Sequence, residues 1–260
     1  MHIAVVIPTY NEAENLPRLL SSLFALPLDL SVLVVDDNSP DGTGYLADKF
    51  ASANAGRVEV LHRPGKLGIS SAYVQGFHHL LDQGTDAIAQ MDADLSHDPA
   101  TLIKMIKKLE TCDVVFGSRY TSGGSVDIQW PFWRKGLSAW GNFYARTILR
   151  IPLRDVTTGY RLWRSETLRG MPFSSIQSKG YIFQVEMAHL ARCLEYRMRE
   201  TPFYFANRRR GKSKMSLGIQ VEAAFRVWQI WWAYRPLCHK GQAARIQRSK
   251  LLPGTVNNTQ

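Results

Sequence analysis

A chain of 260 residues, 45% hydrophobic and 21% charged, can bury a full core as one large domain or as one domain with an appendage, and its composition is that of an ordinary globular protein. No uncharged run reaches the roughly 18 apolar residues of a membrane span, and the N-terminal "MHIAVVIPTYNE" lacks the basic start and longer apolar core of a secretory signal. The formal net charge of +10 implies an anionic partner: a nucleic acid, a phosphorylated substrate or an acidic membrane face.

In chain order, "HIAVVIP", "LSVLVVD", "RVEVL", "TDAIAQMD" and "CDVVFGS" are short runs, most of them Val/Ile/Leu-rich and ending in polar or turn residues, which predicts buried strands. Helical segments alternate with them, starting near Glu12, near Thr43, over Ile69 to Leu81, and after Asp98-Pro99, read as an N-cap with proline at the first helical position. Strand–helix alternation predicts a mostly parallel α/β sheet whose ligands sit beyond the carboxyl ends of the strands. The polar clusters "PTYNE", "DDNSPDGT", "DADLSHD" and "GSRYTSGG" should therefore share one edge. Turn chemistry explains Asn38-Ser39-Pro40-Asp41-Gly42 well; it explains poorly Asp36, Asp37, Asp92 and Asp94, which directly follow apolar runs.

Beyond residue 125 the pattern becomes helical and aromatic. "WPFWRKGLSAWGNFYARTILR" is basic and tryptophan-rich, and Leu217, Val221, Ala224, Phe225, Trp228, Trp231 and Trp232 fall on one helical stripe. With Arg226 and Arg235 alongside, the stripe over residues 217–240 suits an amphipathic helix at a membrane interface, or equally one packed on the core. After Glu222 there is no acidic residue, and residues 241–260 read as a basic, disordered tail. Cys112, Cys193 and Cys238 are too few and too scattered for a disulfide framework or a zinc site, which points to a reducing compartment.

Asp92-x-Asp94 at a strand end is a natural site for Mg²⁺ or Mn²⁺, hard cations that take oxygen ligands. A calcium EF-hand loop is excluded, because its sixth position here is His97 rather than Gly and its twelfth is Ile103 rather than Glu. An aspartyl-phosphate phosphatase loop would follow the first strand, and this one follows the fourth. Asp98 reads as a helix cap.

"VVIPTYNEAENL", "VVDDNSPDGT", "HRPGKLGISSAYVQGF", "MDADLSHDP", "FGSRY", "DVTTGYRLWR", "GYIFQVEM" and "GKSK" follow one another in this order. Together they resemble the polyprenol-phosphate mannose synthases (dolichol-phosphate mannosyltransferases), inverting glycosyltransferases of family 2 with a GT-A fold, over residues 2–216. The resemblance implies a Rossmann-like α/β catalytic domain over 1–216 and transfer of mannose from GDP-mannose to a polyprenyl phosphate, with another sugar nucleotide such as UDP-glucose as the alternative donor. It implies that Pro8, Tyr10, Glu12, Asp36, Asp37, Lys66, Asp92, Ala93, Arg208 and Lys214 bind the nucleotide sugar. Asp92 and Asp94 would carry the metal, with Ser96 as third ligand where other relatives have glutamine. Arg119, Arg134 and Ser138 would hold the acceptor phosphate, and Asp94 and Arg119 would carry catalysis. Asp155, Thr158, Gln184 and Glu186 are as readily structural as functional. A lipid acceptor implies a peripheral protein on the cytoplasmic face of a membrane, open to an anchoring protein partner. A basic nucleic-acid-binding protein is the contrasting reading, and it leaves Asp92 and Asp94 without a role.

Overall fold

The structure, a computed structural model, describes residues 1–206 and 217–251, with side chains in the second stretch from 222 to 239. The apolar runs form β1 (Ile3–Thr9), β2 (Leu30–Asp36), β3 (Val58–His62), β4 (Ala87–Gln90) and β5 (Val114–Ser118). Between them lie α1 (Leu16–Phe24), α2 (Thr43–Ala53), α3 (Ile69–Asp82) and α4 (Thr101–Leu109). Two helix starts differ from expectation. Asn11 adopts a left-handed conformation (φ 63°) and the Glu12 carbonyl accepts Asn15 N and Leu16 N, so a turn precedes α1. Asp98 likewise stands outside α4, its carboxylate accepting Ala100 N at 3.1 Å in the preceding turn.

The region beyond residue 125 is not wholly helical. It contributes β7 (Arg161–Arg164) and β8 (Met198–Pro202) to a seven-stranded sheet of order β3-β2-β1-β4-β7-β5-β8, while β6 (Ser125–Val126) pairs with β9 (Tyr204–Phe205). β7 runs antiparallel to both β4 and β5, and the remaining pairs in the sheet are parallel. β5 therefore runs in the same direction as β1, β2 and β4, and all four polar clusters emerge on one edge.

Strand alternation feeds two cores. Ala4, Val6, Leu33 and Val35 pack with Tyr73 and Phe77 of α3 and with α7 (Ile182–Cys193). Val5, Ile7, Val32 and Val34 pack with α1 and α4. Two further long helices, α5 (Phe132–Ile148) and α8 (Leu217–Leu251), lie against the first of these cores; the short α6 (Ser165–Arg169) follows β7 directly.

α8 buries Val227, Ile230 and Tyr234, a face rotated away from the aromatic stripe. Phe225 (70% exposed), Trp228 and Trp232 (73%) point outward, and Trp231 is partly buried. α5 does the same with Phe132, Trp133, Trp140 and Phe143, all exposed, while Trp130 just before it is buried. The helix continues to Leu251 with Pro236 inside it, past residue 240 where composition predicts a tail. Among the described residues no helix is long and apolar enough to cross a membrane. The cysteine reading is corrected in one respect: Cys193 of α7 is joined to Cys238 of α8, across 45 residues of sequence, beside His189. Only the packing of the two helices makes this pair.

Candidate active site

The loop after β4 is organised from within. Leu95 takes a left-handed conformation (φ 62°), which lets Asp94 Oδ1 accept Ser96 N at 3.0 Å. His97 is buried, stacks on Tyr160 with ring centroids 4.9 Å apart, and accepts Asp92 N on Nδ1 at 3.1 Å. That acceptor role puts the imidazole proton on Nε2. Tyr73 of α3 donates its hydroxyl to Asp92 Oδ1 at 2.9 Å. Burial, and then the neighbouring Asp92, push the Tyr73 phenol well above its ordinary pKa, so it stays a donor.

Gly159, in the loop entering β7, closes on Asp92: a Cβ there would lie 3.3 Å from Oδ1, 3.4 Å from Oδ2 and 3.5 Å from Gln184 Nε2. Two buried oxygens near this loop, Ser96 Oγ and Gln184 Oε1, have no hydrogen-bond partner among the described residues. Two carboxylates with a partnerless buried hydroxyl form an oxygen donor set suited to a hard divalent cation, and Asp92, Asp94 and Ser96 fit Mg²⁺ or Mn²⁺ on that ground. Ala93 is buried between them.

The residues expected at the nucleotide gather along the ends of β1 and β2. Lys66 Nζ stands 3.9 Å from the centroid of the Tyr10 ring. Pro8 and Glu12 are half-buried on the same edge, and Glu12 Oε2 accepts Asn15 Nδ2 at 2.7 Å. Asp36 and Asp37 are buried and already engaged. Asp36 accepts Thr9 Oγ1 (2.8 Å), Ser39 N (2.9 Å) and Ser39 Oγ (2.6 Å). Asp37 is ion-paired with buried Arg63 and accepts Gly68 N at 2.8 Å. Arg208 and Lys214 lie outside the described residues.

On the β5 side, Arg119 is locked to Asp155. Its Nε reaches Oδ2 at 2.7 Å and its Nη2 reaches Oδ1 at 2.8 Å, with a further bond from Nη2 to Thr157 Oγ1 at 2.7 Å. Burial raises the Asp155 carboxyl, but the Arg119 charge and its hydrogen bonds outweigh this and hold it below the ordinary carboxylate range. Asp155 therefore orients Arg119, and Thr158 shapes the loop by accepting Tyr160 N at 3.1 Å. In α5 the Arg134 guanidinium stacks 3.9 Å from the Trp130 ring centroid, and Ser138 Oγ accepts the Tyr120 hydroxyl at 2.7 Å. Asn142 ties that helix to the same loop, its Oδ1 accepting Val156 N at 2.9 Å. Arg119 and Ser138 are thus linked through Tyr120, Asn142 and the 155–158 loop, and Arg134 stands four positions before Ser138 on α5. Glu186 is structural: it accepts Gln177 N, Ser178 N and the Tyr234 hydroxyl.

Tyr73, His97, Asn142, Gly159, Arg63 and Arg161 complete this edge without having been singled out in the sequence. Arg161 is fully buried, and its guanidinium donates to the carbonyls of Val156, Thr158 and Gln184. Burial depresses its pKa to about 9, with Asp155 and Tyr73 opposing. The stretch "YRLWR", with a second arginine at Arg164, gives no sign that Arg161 faces the core.

The chain is 44% identical over 227 residues to the undecaprenyl-phosphate mannosyltransferase of Micrococcus luteus, covering 87% of this chain and 93% of that protein. It is 42% identical over 229 residues to the polyprenol monophosphomannose synthase of Mycolicibacterium smegmatis, covering 87% and 86%. Among solved structures, the fold matches mannosyl-3-phosphoglycerate synthase from Rubrobacter xylanophilus (TM-score 0.60, 16% identity, 100% of this chain and 78% of that one). It also matches the mannosyltransferase PcManGT of Pyrobaculum calidifontis, solved with GDP-Man and Mn²⁺ (TM-score 0.55, 18% identity, 98% and 76%). At such identity these two speak for the GT-A-like fold alone. Residues 4–170, which hold β1 to β7 and the acidic loop between them, match the family model directly, and the chain belongs to glycosyl transferase family 2.

Proposed function

We propose that this protein is a polyprenyl-phosphate mannosyltransferase that moves mannose from GDP-mannose to a polyprenyl phosphate and releases GDP. The observation that carries the reading is the likeness to two proteins named for this activity over 87% of the chain; it is supported by an acidic loop at the carboxyl edge of the sheet, where open α/β sheets bind ligands. In the reaction the bond from sugar C1 to the diphosphate oxygen breaks while an acceptor phosphate oxygen bonds C1 from the opposite face. A phosphomonoester has its second pKa near 6, so the acceptor arrives ionised and needs no carboxylate base.

Asp92, Asp94 and Ser96 would hold Mg²⁺ or Mn²⁺, which when bound supplies Lewis-acid stabilisation of the leaving diphosphate. The remaining work falls to this chain's own groups. Tyr73, His97 and Gly159 fix the Asp92 carboxylate and backbone. Tyr10 and Lys66 offer a ring and a cation to the nucleotide. Arg119, held by Asp155, and Arg134, held by Trp130, bring positive charge toward the acceptor phosphate, and Ser138 adds a hydroxyl. Arg208 and Lys214 are proposed for the donor diphosphate.

The outward aromatic residues of α5 and α8 support peripheral attachment at a membrane, where a polyprenyl acceptor resides. The test is incubation with labelled GDP-mannose, Mg²⁺ or Mn²⁺ and polyprenyl phosphate in vesicles, followed by organic extraction. Label is expected in the lipid phase from the parent and not from Asp94→Ala. Lipid labelling from UDP-glucose in place of GDP-mannose would transfer the proposal to the other donor, and none from either would end it.

A further inference from the structure

Between the C-terminal ends of α5 and α7, α8 closes an open cleft of about 190 Å³ lined by Arg150, His189, Arg192, Trp231, Arg235 and His239, with Cys238 beside them. It is separate from the acidic loop. Gln184, which meets Gly159 beside Asp92, precedes Arg192 by eight positions on α7, a rise of about 12 Å along the helix.

Three guanidinium groups share this small space. Burial, and after it the Arg150 charge, hold the Arg192 guanidinium below its ordinary pKa, with Glu195 opposing. Burial and the Arg192 charge depress the His189 imidazole to about 4, so that ring is neutral. Among the described residues no carboxylate forms an ion pair with Arg150, Arg192 or Arg235. The stretches 207–221 and 223–260 contain no aspartate or glutamate that could do so. Arg192 Nη1 instead points at Cys238 Sγ (3.5 Å), and the Arg235 guanidinium stands 5.5 Å from the Trp231 ring centroid.

A plainer account covers part of this. Arg192 lies in the last turn of α7 and Arg150 just past α5, where a cation complements the helix dipole. It does not cover Arg235, in the middle of α8, nor the convergence of all three. Nor does it explain why the position after α5, in a left-handed conformation (φ 53°) that favours glycine or asparagine, carries arginine.

We propose that this cleft binds a phosphate group, gripped by the forked guanidinium groups of Arg150, Arg192 and Arg235 with Trp231 as an apolar wall. The phosphate would belong to a lipid headgroup or be free in solution. Trp228 and Trp232, exposed on the same helix, favour the headgroup; that choice of source rests on the membrane-facing reading above, and the site itself does not.

The test uses the full chain, Arg150→Gln/Arg235→Gln, and Lys240→Gln/Arg245→Gln as a control with the same change in charge. Thermal unfolding is followed in inorganic phosphate and in chloride at equal ionic strength. Sedimentation is measured with vesicles of phosphatidylcholine alone and with one part in five phosphatidic acid. Phosphate is expected to raise the midpoint of the parent and the control but not of R150Q/R235Q. If the source is a headgroup, R150Q/R235Q should also lose about fivefold more partitioning onto phosphatidic acid vesicles than the control. If it is free phosphate, the two variants should sediment alike. A phosphate shift that persists in R150Q/R235Q, with vesicle partitioning equal to the control, overturns the proposal. R150K/R235K, which keeps the charge and the fold, should retain part of the shift, so a loss caused by misfolding is told apart from loss of the site. Mannosyl transfer in detergent is expected to be unchanged in R150Q/R235Q; absence of transfer in the parent would sink the proposed reaction and leave this result standing.

Discussion

Asp155→Asn tests the scaffold behind Arg119. Both carboxylate oxygens of Asp155 face only donors. Oδ1 takes Arg119 Nη2 at 2.8 Å and Thr157 Oγ1 at 3.3 Å, and Oδ2 takes Arg119 N at 3.0 Å and Nε at 2.7 Å. Whichever oxygen becomes an amide nitrogen confronts two donors, one of them on the guanidinium, and a buried cation is left without its counter-charge. Hydrogen bonds to charged groups are worth about 1.5–3 kcal/mol each, and breaking a buried ion pair from one side costs about 3–5 kcal/mol. The expected loss is therefore about 3–5 kcal/mol, read in urea as a lower midpoint with an unchanged slope. Because the folded carboxyl titrates below its unfolded value, its contribution is complete above the unfolded pKa near 4 and fades as pH falls through the folded value. The gap between parent and D155N should accordingly be flat from about pH 5 to 8 and narrow below about 4. A loss under about 1 kcal/mol, or a gap that does not narrow in acid, would refute the assignment of Asp155 as the group that holds Arg119.

Gly159→Ala places a methyl 3.3 Å from Asp92 Oδ1 and should weaken Mn²⁺ binding about tenfold, measured by electron paramagnetic resonance of the free ion; unchanged affinity would remove Asp92 from the proposed ligand set. Phe225→Ser/Trp228→Ser/Trp232→Ser takes apolar surface from the exposed face of α8 and should lower sedimentation with phosphatidylcholine vesicles by about tenfold or more. Equal sedimentation would assign that face another purpose. Thiol titration in denaturant without reductant should find one reactive cysteine, Cys112, and after reduction all three; three at the outset would mean that Cys193 and Cys238 are open in the isolated protein.

β1, β2, β4 and β5 were legible because both faces of the sheet are covered there, so each reads as a mostly apolar run, while β3 at the edge, half-exposed, was legible from its valines on either side of Glu59. β7 was not, although it lies in the middle of the sheet. Its four residues carry arginine at both ends, and these point to backbone carbonyls: Arg161 to Val156, Thr158 and Gln184, Arg164 to Leu109 and Cys112. A buried guanidinium that serves carbonyls looks like surface charge until the fold is known. The aromatic stripe of α8 was visible, but its orientation was not, since the core takes Val227, Ile230 and Tyr234, and either face has helical spacing. The acidic loop was found from residue type and position, whereas Tyr73, His97 and Gly159, which hold it, come from three other places in the chain and acquire meaning only by proximity.

That proximity separates the acids of the sheet edge into two kinds. Asp36, Asp37, Asp155 and Glu186 are each met by two or more donors from the chain itself, so their charge is used in joining loops to strands and helices. Asp92 is treated differently. Tyr73 occupies Oδ1, His97 holds the backbone nitrogen, Gly159 leaves the carboxylate no side chain to lean on, and Oδ2 accepts no hydrogen bond from the described residues. The fold thus orients this carboxylate on one side and leaves acceptor capacity on the other, two positions from Asp94 and four from the partnerless Ser96 hydroxyl. Most edge carboxylates of this net-positive protein are thus committed to donors of the chain, whereas among the described residues Asp92 Oδ2 and the Ser96 hydroxyl keep acceptor capacity, the property that Mn²⁺ binding by Gly159→Ala tests.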